Sequence, residues 1–224
     1  MSAFHKLISS VRSALEHLPE TAEVPLRQVE PMPTVPSARR VELCARFARE
    51  LEAVGGHFMG VLSPLDSARK VAELARQLGV HSASIGDGVE VAAQPFVAAL
   101  RNAGLELVGV EEDGAMIKRL AACDLGVIEA DYAVAASGTV AVIAGARRPN
   151  SLTLLPPINI ILVHANRVMP DLAAVIAAFG NETIATRRIS LITGPSRTAD
   201  IEKMIVLGVH GPRELHVGII WPER

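Results

Sequence analysis

The sequence predicts an α/β protein with a mixed, mostly parallel sheet, and three observations lead to this fold class. Apolar runs of strand length alternate with segments whose apolar residues recur at helical spacing. Run 140–144 is apolar throughout and run 158–163 is apolar apart from Asn159, as is typical of strands that are covered on both faces. Ser137-Gly138-Thr139 places turn residues between two strand-like runs, which indicates an antiparallel pair in the same sheet.

The first 36 residues differ from the rest and are predicted to form a helix followed by an extended arm. Apolar residues between positions 4 and 18 recur at helical spacing, and the helix is expected to end before Pro19. Five prolines between 19 and 36 exclude a helix from that stretch. We therefore divide the chain into an N-terminal helix with a proline-rich arm, 1–36, and an α/β domain, 37–224.

Helices and strands are predicted to alternate through the α/β domain. Ser63 suits a helix N-cap, Pro64 suits the first helical position, and Gly79 suits the end of the same helix. Helical spacing predicts helices at 37–54, 64–78, 95–102, 113–122, 170–179 and 199–207. Strand patterns occur at 57–62, 81–85, 105–110, 126–128, 132–136, 140–144, 158–164, 189–193 and 215–221.

Composition excludes some classes of function. Half of the 224 residues are hydrophobic but only 3% are aromatic, so the core must be built from aliphatic side chains. The length fits one large domain with an appendage. Because a nucleic-acid-binding protein needs basic and base-stacking surfaces, the net charge of −2 and the few aromatic residues argue against that class.

The cysteines and histidines predict no metal centre. Cys44 and Cys123 stand far apart, which indicates neither a disulfide framework nor a thiolate metal site, and two thiols cannot hold a four-thiolate iron–sulfur cluster. The histidines show no zinc-binding spacing such as H-x-x-x-H. No apolar stretch reaches the length of a membrane span, and the first 20 residues hold none of signal-peptide length, so a cytoplasmic location is expected.

Three loops rich in small and polar residues are candidate ligand-binding regions, because ligands of open α/β sheets bind at strand ends. The first loop is Ser137-Gly138-Thr139. Its two hydroxyls would hold a ligand, and the glycine would let the ligand approach the backbone. A plain hairpin turn explains the same residues equally well.

The second loop connects the strand predicted at 189–193 to the helix predicted at 199–207. Backbone N–H groups at a helix start and an arginine guanidinium together attract an anion. The residues expected to bind an anion there are Gly194, Ser196, Arg197 and Thr198. Asp200 lies in the predicted first turn, where an acid stabilises a helix without any ligand, so a simple cap is the alternative.

The third loop, 209–213, contains His210 and Gly211. His210 would meet Ser137 and Arg197 if the three loops share one edge of the sheet, although a lone histidine is more often a structural hydrogen-bonding residue. Arg147-Arg148 fits either an anion site or a solvated basic turn. The candidate general acids or bases are Asp131, Asp200 and His210, and the candidate binding residues of this loop include Gly211.

Three segments resemble the LUD domain family, which includes lactate-utilisation protein C. GVIEADYAVAASGT at 126–139 resembles the family signature G-I-x-x-A-D-x-A-I-A-x-T-G-T. SLTLLPP at 151–157 is similar to the family's S-L-L-P-P segment. The most specific match lies within 192–212, where ITGPSRTADIE is followed by GVHGP. Close matching covers roughly the second half of the chain.

The resemblance implies a three-layer α/β/α sandwich similar to the sugar-phosphate isomerase and CoA-transferase superfamily. It also implies a part in oxidising L-lactate to pyruvate, as an accessory subunit without a cofactor of its own. Partner proteins of such a system would carry the iron–sulfur clusters. Carried over by position, the three loops would form a shared cleft for a small carboxylate or a phosphate.

Two places depart from the family pattern. Ala136-Ser137 stands where an acidic residue and a threonine are common, and Asn159 stands where a histidine is usual. If the missing acid and imidazole are catalytic, this chain binds without reacting or uses another substrate. Two alternatives therefore stay open. One is a stand-alone enzyme that acts on a phosphorylated sugar, a nucleotide or a CoA thioester, and the other is a non-catalytic assembly scaffold that works through 1–36.

Overall fold

The computed structural model describes six segments of the chain, which together hold most of the predicted α/β domain. These segments are 37–88, 94–111, 113–145, 147–186, 188–199 and 205–221. The helix and arm predicted for 1–36 lie outside the described residues.

The described elements alternate between helix and strand through most of the domain. The helices are α1 (Ser37–Ala53), α2 (Pro64–Gln77), α3 (Gln94–Asn102), α4 (Met116–Ala121) and α5 (Leu172–Thr186). The strands are β1 (His57–Leu62), β2 (Ser82–Ile85), β3 (Glu106–Val108), β4 (Leu125–Glu129), β5 (Tyr132–Val134), β6 (Thr139–Ile143), β7 (Ile158–His164), β8 (Val168–Met169), β9 (Ile189–Ile192), β10 (Arg197–Ala199), β11 (Ile205–Leu207) and β12 (Glu214–Ile220). Short 3-10 helices lie at Asn150–Thr153 and Ala165–Arg167.

A six-stranded sheet with the order β1-β12-β7-β4-β2-β3 forms the centre of the domain. Every pair of neighbours in it is parallel. One face is covered by α2 and α3, whose buried residues pack against Val127, Ile160 and Leu162 of the sheet. This confirms the α/β fold class and explains the apolar strand at 158–163, since both of its faces are buried.

The opposite face is covered by α1 and α4 together with a second, four-stranded sheet in the order β8-β5-β6-β9. Phe47 and Leu51 of α1 are fully buried in this core, as is Ile161 of β7. On its outer side the second sheet packs against α5 through residues that include Tyr132 and Phe179. The expected antiparallel pair around 137–139 is confirmed, but it belongs to this second sheet, so the main sheet is wholly parallel.

The prediction of a helix at 199–207 is wrong at both ends of that range. Residues 197–199 form β10 and residues 205–207 form β11, and the two strands pair antiparallel, with Arg197 opposite Leu207. Thr198, Ile205 and Val206 are β-branched and favour strand pairing over helix. Residues 200–204, Asp200 included, lie outside the described part of the chain.

Helix ends follow the predicted capping chemistry where the capping residues are present. The Ser63 hydroxyl oxygen accepts a hydrogen bond from the Asp66 backbone N–H at 3.0 Å, and Gly79 ends the helix with a positive φ of 67°. The helix predicted at 170–179 continues to Thr186 across a non-helical Gly180. None of the helices in the described segments is long and apolar enough to span a membrane.

Candidate functional site

The strand order defines where a ligand is expected to bind. Because all six central strands are parallel, their carboxyl ends share one edge of the sheet and their amino ends share the other. From β2 the chain continues to β3, at one border of the sheet, whereas from β4 the next strand of this sheet is β7, on the side of the other border. The direction in which strands are added to the sheet therefore reverses between β2 and β4. Ligands of open α/β sheets bind outside the carboxyl ends of strands at such a point.

A buried acid and a histidine meet at this carboxyl edge. Glu129 ends β4 and His164 ends the neighbouring strand β7. The His164 Nε2 atom lies 3.3 Å from Glu129 Oε1, and the two side chains are only 22% and 9% exposed. An imidazole held by a carboxylate is an arrangement suited to proton transfer. Both residues were missed by the sequence analysis, although a polar residue directly after an apolar run is a signal for this edge.

Asp131 and Arg148 form an ion pair beside Glu129. Arg148 Nη2 lies 2.9 Å from Asp131 Oδ2, while Arg148 Nη1 donates to the Glu129 carbonyl at 2.7 Å and Nε donates to the Ile143 carbonyl at 3.0 Å. The Asp131 carboxylate also accepts from the Ile143 N–H at 2.7 Å. Arg148 is thus a half-buried residue whose guanidinium already binds partners within the protein. Of the two arginines only Arg147 is exposed, so the choice between an anion site and a solvated turn applies to Arg147 alone.

A cavity of about 870 Å³ opens at the carboxyl ends of β2 and β3. Three arginines line it together with a single acid, Glu111. The arginines are Arg101, Arg119 and Arg147. Arg119 pairs with Asp113 at 2.8 Å, and the hydrogen bond from Arg119 holds the pKa of that carboxyl below its usual value. Because Arg101 and Arg147 are exposed, the cavity offers guanidinium donors to an anion.

The predicted loops lie at the opposite, amino edge. Thr139 of the first loop and Thr193 of the second share a hydrogen bond between their hydroxyls at 2.7 Å, and the Ser137 hydroxyl joins Thr139 at 2.7 Å. The Ser196 N–H donates to the Pro212 carbonyl at 2.8 Å, which links the second loop to the third. The structure therefore brings the three loops together, next to the start of β12.

Packing against α1 explains the glycines of these loops. Gly138 has a φ of 61°, and a Cβ there would lie 2.5 Å from Leu51 Cα. Gly194 has a φ of 77°, and a Cβ there would lie 2.5 Å from the Val54 carbonyl oxygen. The close approach that these glycines permit is made by the end of α1 in this chain.

The remaining predicted residues divide between the two edges. Arg197 and His210 are exposed at the amino edge, and Gly211 lies against Ser196. Thr198 sits in β10 opposite Val206, so the helix start that was expected to bind an anion does not form at this position. Asp131 lies at the carboxyl edge, away from the other candidates. The binding roles assigned to the amino-edge residues stay predictions.

One of the two departures from the family pattern falls at a fully buried position. Asn159 is fully buried near the start of β7, and its Nδ2 donates to the Thr153 carbonyl at 2.8 Å. The Ala136 N–H donates to the Pro170 carbonyl at 3.1 Å in the turn after β5. In this chain the amide at 159 therefore supports local structure.

Two histidines and a glutamate form another cluster at the amino edge. The rings of His57 on β1 and His216 on β12 stack with centroids 4.7 Å apart, and His216 Nε2 lies 3.1 Å from Glu214 Oε2. Burial lowers the pKa of His216, the nearby His57 lowers it further, and the hydrogen bond with Glu214 partly opposes this. Sequence spacing missed the cluster because His57 and His216 meet only through the strand order.

Cys44 and Cys123 are both buried and free. Burial raises the pKa of the Cys44 thiol to about 11 and also raises that of Cys123. Without a bound metal, both side chains are therefore protonated thiols at neutral pH.

Comparison with known proteins agrees with this fold. The family model of the LUD domain matches residues 44–220. "Lactate utilization protein C" of Halalkalibacterium halodurans is 34% identical over 101 residues, covering 43% of this chain and 44% of that protein. "Uncharacterized protein YkgG" of Escherichia coli is 37% identical over 92 residues, covering 39% of this chain and 40% of that protein.

A solved structure shows the same architecture at low sequence identity. A duf162 family protein from Deinococcus radiodurans superposes with a TM-score of 0.62 and 17% identity, covering 81% of this chain and 98% of the other. The matches to the two curated relatives span less than half of their own length. Since the family model covers most of the α/β domain, the chain belongs to the LUD domain family.

Proposed function

We propose that this chain takes part in lactate utilisation as an accessory subunit that binds a small carboxylate. Membership in the LUD domain family and the similarity to a protein named "Lactate utilization protein C" support the proposal. In the proposed system, lactate is oxidised to pyruvate and the electrons pass to iron–sulfur clusters held by partner proteins in the cytoplasm.

The donor set of the chain supports placing the clusters on partners. A conventional cluster needs four thiolates, whereas this chain has two cysteines in all. Both are buried, and burial raises their pKa values. The chain would therefore position the substrate or the partner and would not itself accept the electrons.

The arginine-lined cavity at the carboxyl edge is the observation that carries the binding part of the proposal. A carboxylate pairs well with the planar guanidinium fork, and Arg101 and Arg147 are exposed within this cavity. Glu129 and His164 lie at the same edge, on the next strands of the sheet. This region combines anion-binding donors with an acid–base pair at the position where the topology predicts a ligand.

Purification from the native host tests the assembly. A tagged copy is purified under anaerobic conditions from cells grown on lactate, and the eluate is assayed for iron and for lactate-dependent dye reduction. Iron and activity that arrive with specific partner chains would support the proposal. A single iron-free chain, obtained again after mild chemical cross-linking, would contradict it.

Ligand titration tests the cavity. Lactate and pyruvate are titrated against the isolated chain by NMR, and saturable shifts at millimolar ligand are expected. Arg147→Ala should weaken binding at least about fivefold, because one guanidinium–carboxylate pair is lost. Arg46→Ala, an exposed arginine of α1, is the matched control and should leave the affinity unchanged. Shifts that are equal in both variants would exclude this cavity.

The size of the cavity favours a second candidate function, the binding of a larger phosphorylated ligand. A volume of about 870 Å³ is far more than a three-carbon acid fills, and it falls in the range of sites for larger molecules. A thermal-shift screen with inorganic phosphate, sugar phosphates, nucleotides and CoA would detect such a ligand. Stabilisation by one phosphorylated class, lost in Arg147→Ala, would support a stand-alone enzyme or sensor over the lactate subunit.

A further inference from the structure

We propose that His57, Glu214 and His216 form a binding site for a divalent transition-metal ion of the Zn²⁺ type. Each residue offers one ligand atom, and the three atoms all lie within 4.8 Å of one another. Among the described residues this is the group of histidine, cysteine and acidic side chains that meets the geometry of a metal site. It lies at the amino edge of the parallel sheet, in a region that the proposed carboxylate site does not use.

The strand pairing holds the three side chains in place. His57 on β1 is the register partner of His216 on β12. Glu214 and His216 are two residues apart on one strand, so their side chains point to the same face of the sheet. Ligands carried on paired strands are positioned more rigidly than ligands on loops, which favours ion binding.

The donor chemistry fits zinc. Two imidazoles and one carboxylate are the ligand set of known catalytic zinc sites, where metal–ligand distances of about 2.0–2.2 Å place ligand atoms roughly 3.3 Å apart. His216 Nε2 and Glu214 Oε2 are already 3.1 Å apart. His57 is exposed, so a small rotation of its side chain can close the remaining distance. Buried His216 would act as the anchor.

Three protein ligands leave one coordination position for water or for a small ligand, since zinc is usually four-coordinate. The proposal does not depend on the role in lactate utilisation, because the cluster and the arginine-lined cavity occupy opposite edges of the sheet.

Metal titration of the tag-free full chain tests the proposal. The protein is stripped with a chelator and titrated with Zn²⁺ in competition with a chromophoric indicator. One equivalent is expected to bind. His57→Ala and Glu214→Gln should each weaken binding at least about tenfold, because each removes one ligand. His81→Ala, which removes an exposed histidine outside the cluster, is the matched control and should bind like the parent chain.

Two further measurements keep the test decisive. Circular dichroism of each variant confirms that it folds, and His57→Ala is expected to fold because His57 is exposed. Substitution with Co²⁺ should give a visible spectrum of nitrogen and oxygen ligands without a thiolate charge-transfer band. The absence of saturable Zn²⁺ binding, an equal loss in His81→Ala, or a thiolate band would each overturn the proposal.

Discussion

The carboxyl edge and the amino edge of the parallel sheet are built from different residues. At the carboxyl edge, charged side chains pair with one another, as Glu129 does with His164 and Asp131 with Arg148, and arginines line a cavity of about 870 Å³. At the amino edge, glycines and hydroxyls dominate, and Gly138 and Gly194 lie directly against the backbone of α1.

The difference teaches that a loop rich in glycine and serine is not by itself evidence of a ligand. Such residues also let two pieces of backbone approach closely, and this is how the amino edge uses them. Charged side chains that line an open cavity, as the arginines at the carboxyl edge do, are better evidence of a ligand. The comparison leads to four predictions about what the residues at the two edges contribute to stability, and the last of them also tests binding.

Gly138→Ala should have the largest effect on stability. The new Cβ would meet the backbone of Leu51 and would force alanine into a left-handed conformation, so the free energy of unfolding should fall by about 4 kcal/mol. Urea denaturation measures the change. Gly79→Ala has a similar φ of 67° but no heavy atom within 4 Å of the new Cβ, and it should cost only about 1 kcal/mol. Equal losses in both variants would show that α1 does not pack on the turn as described.

Arg148→Ala should lower the free energy of unfolding by about 3 kcal/mol, because it leaves Asp131 without its cation and frees two carbonyls in a half-buried site. The neighbouring Arg147→Ala should change it by less than about 0.5 kcal/mol, since Arg147 is exposed. Both are measured by urea denaturation at neutral pH. The reverse order of the two losses would mean that Arg148 is the solvated residue of the pair.

Asp124→Asn should lower the free energy of unfolding by a smaller amount, and this amount should depend on pH. Burial alone would raise the pKa of Asp124, but the N–H groups of His81 and Ser82 and the Ser82 hydroxyl outweigh it and lower the pKa. Because the pKa of Asp124 is lower in the folded state, its carboxylate stabilises the protein at pH values above the unfolded pKa of about 3.9. This stabilisation is lost as the pH falls through the folded-state pKa.

We therefore expect Asp124→Asn to cost about 1.5 kcal/mol at pH 7, a value reduced by solvent screening, and progressively less below about pH 4. Unfolding of both proteins in urea at pH 7, 5 and 3.5 gives the comparison. A difference that does not depend on pH would show that the carboxylate charge contributes nothing to joining β2 and β4 at the amino edge.

Thr139→Val should have the smallest effect and lower the free energy of unfolding by about 1 kcal/mol, because it removes the hydroxyl that is hydrogen-bonded to both Ser137 and Thr193. The affinity for lactate, pyruvate or phosphate should not change, since the proposed anion site lies at the other edge. Urea denaturation and NMR titration on the same samples measure both quantities. A weakened affinity with unchanged stability would restore the anion site predicted for the first loop.

Local chemistry made much of the fold predictable. The N-cap at Ser63, the helix end at Gly79 and the strand at 158–164 all appear where their residues indicate them. The helix predicted at 199–207 failed because pairing between β10 and β11 is a contact between segments, which helical spacing within one segment does not detect.

The candidate site was less predictable because it depends on strand order. Glu129 and His164 come from strands that are neighbours only in space, and His57 meets His216 through the pairing of β1 with β12. The sequence did contain one signal for this region, a short polar turn directly after β2, where the order of strand placement reverses. Gly86-Asp87-Gly88 follows β2 directly, and the Asp87 N–H donates to the Arg147 carbonyl at 3.0 Å beside the cavity.

The irregular pairing at the start of β1 has a consequence for aggregation. β1 is an outer strand of the sheet, and its register with β12 shifts between Phe58 and Gly60, where Gly60 has a φ of 107°. A bulged strand is a poor template for the backbone of another molecule, and the opposite outer strand, β3, is only three residues long. Among the described strands, both borders of the central sheet therefore discourage growth by edge-to-edge addition of another molecule.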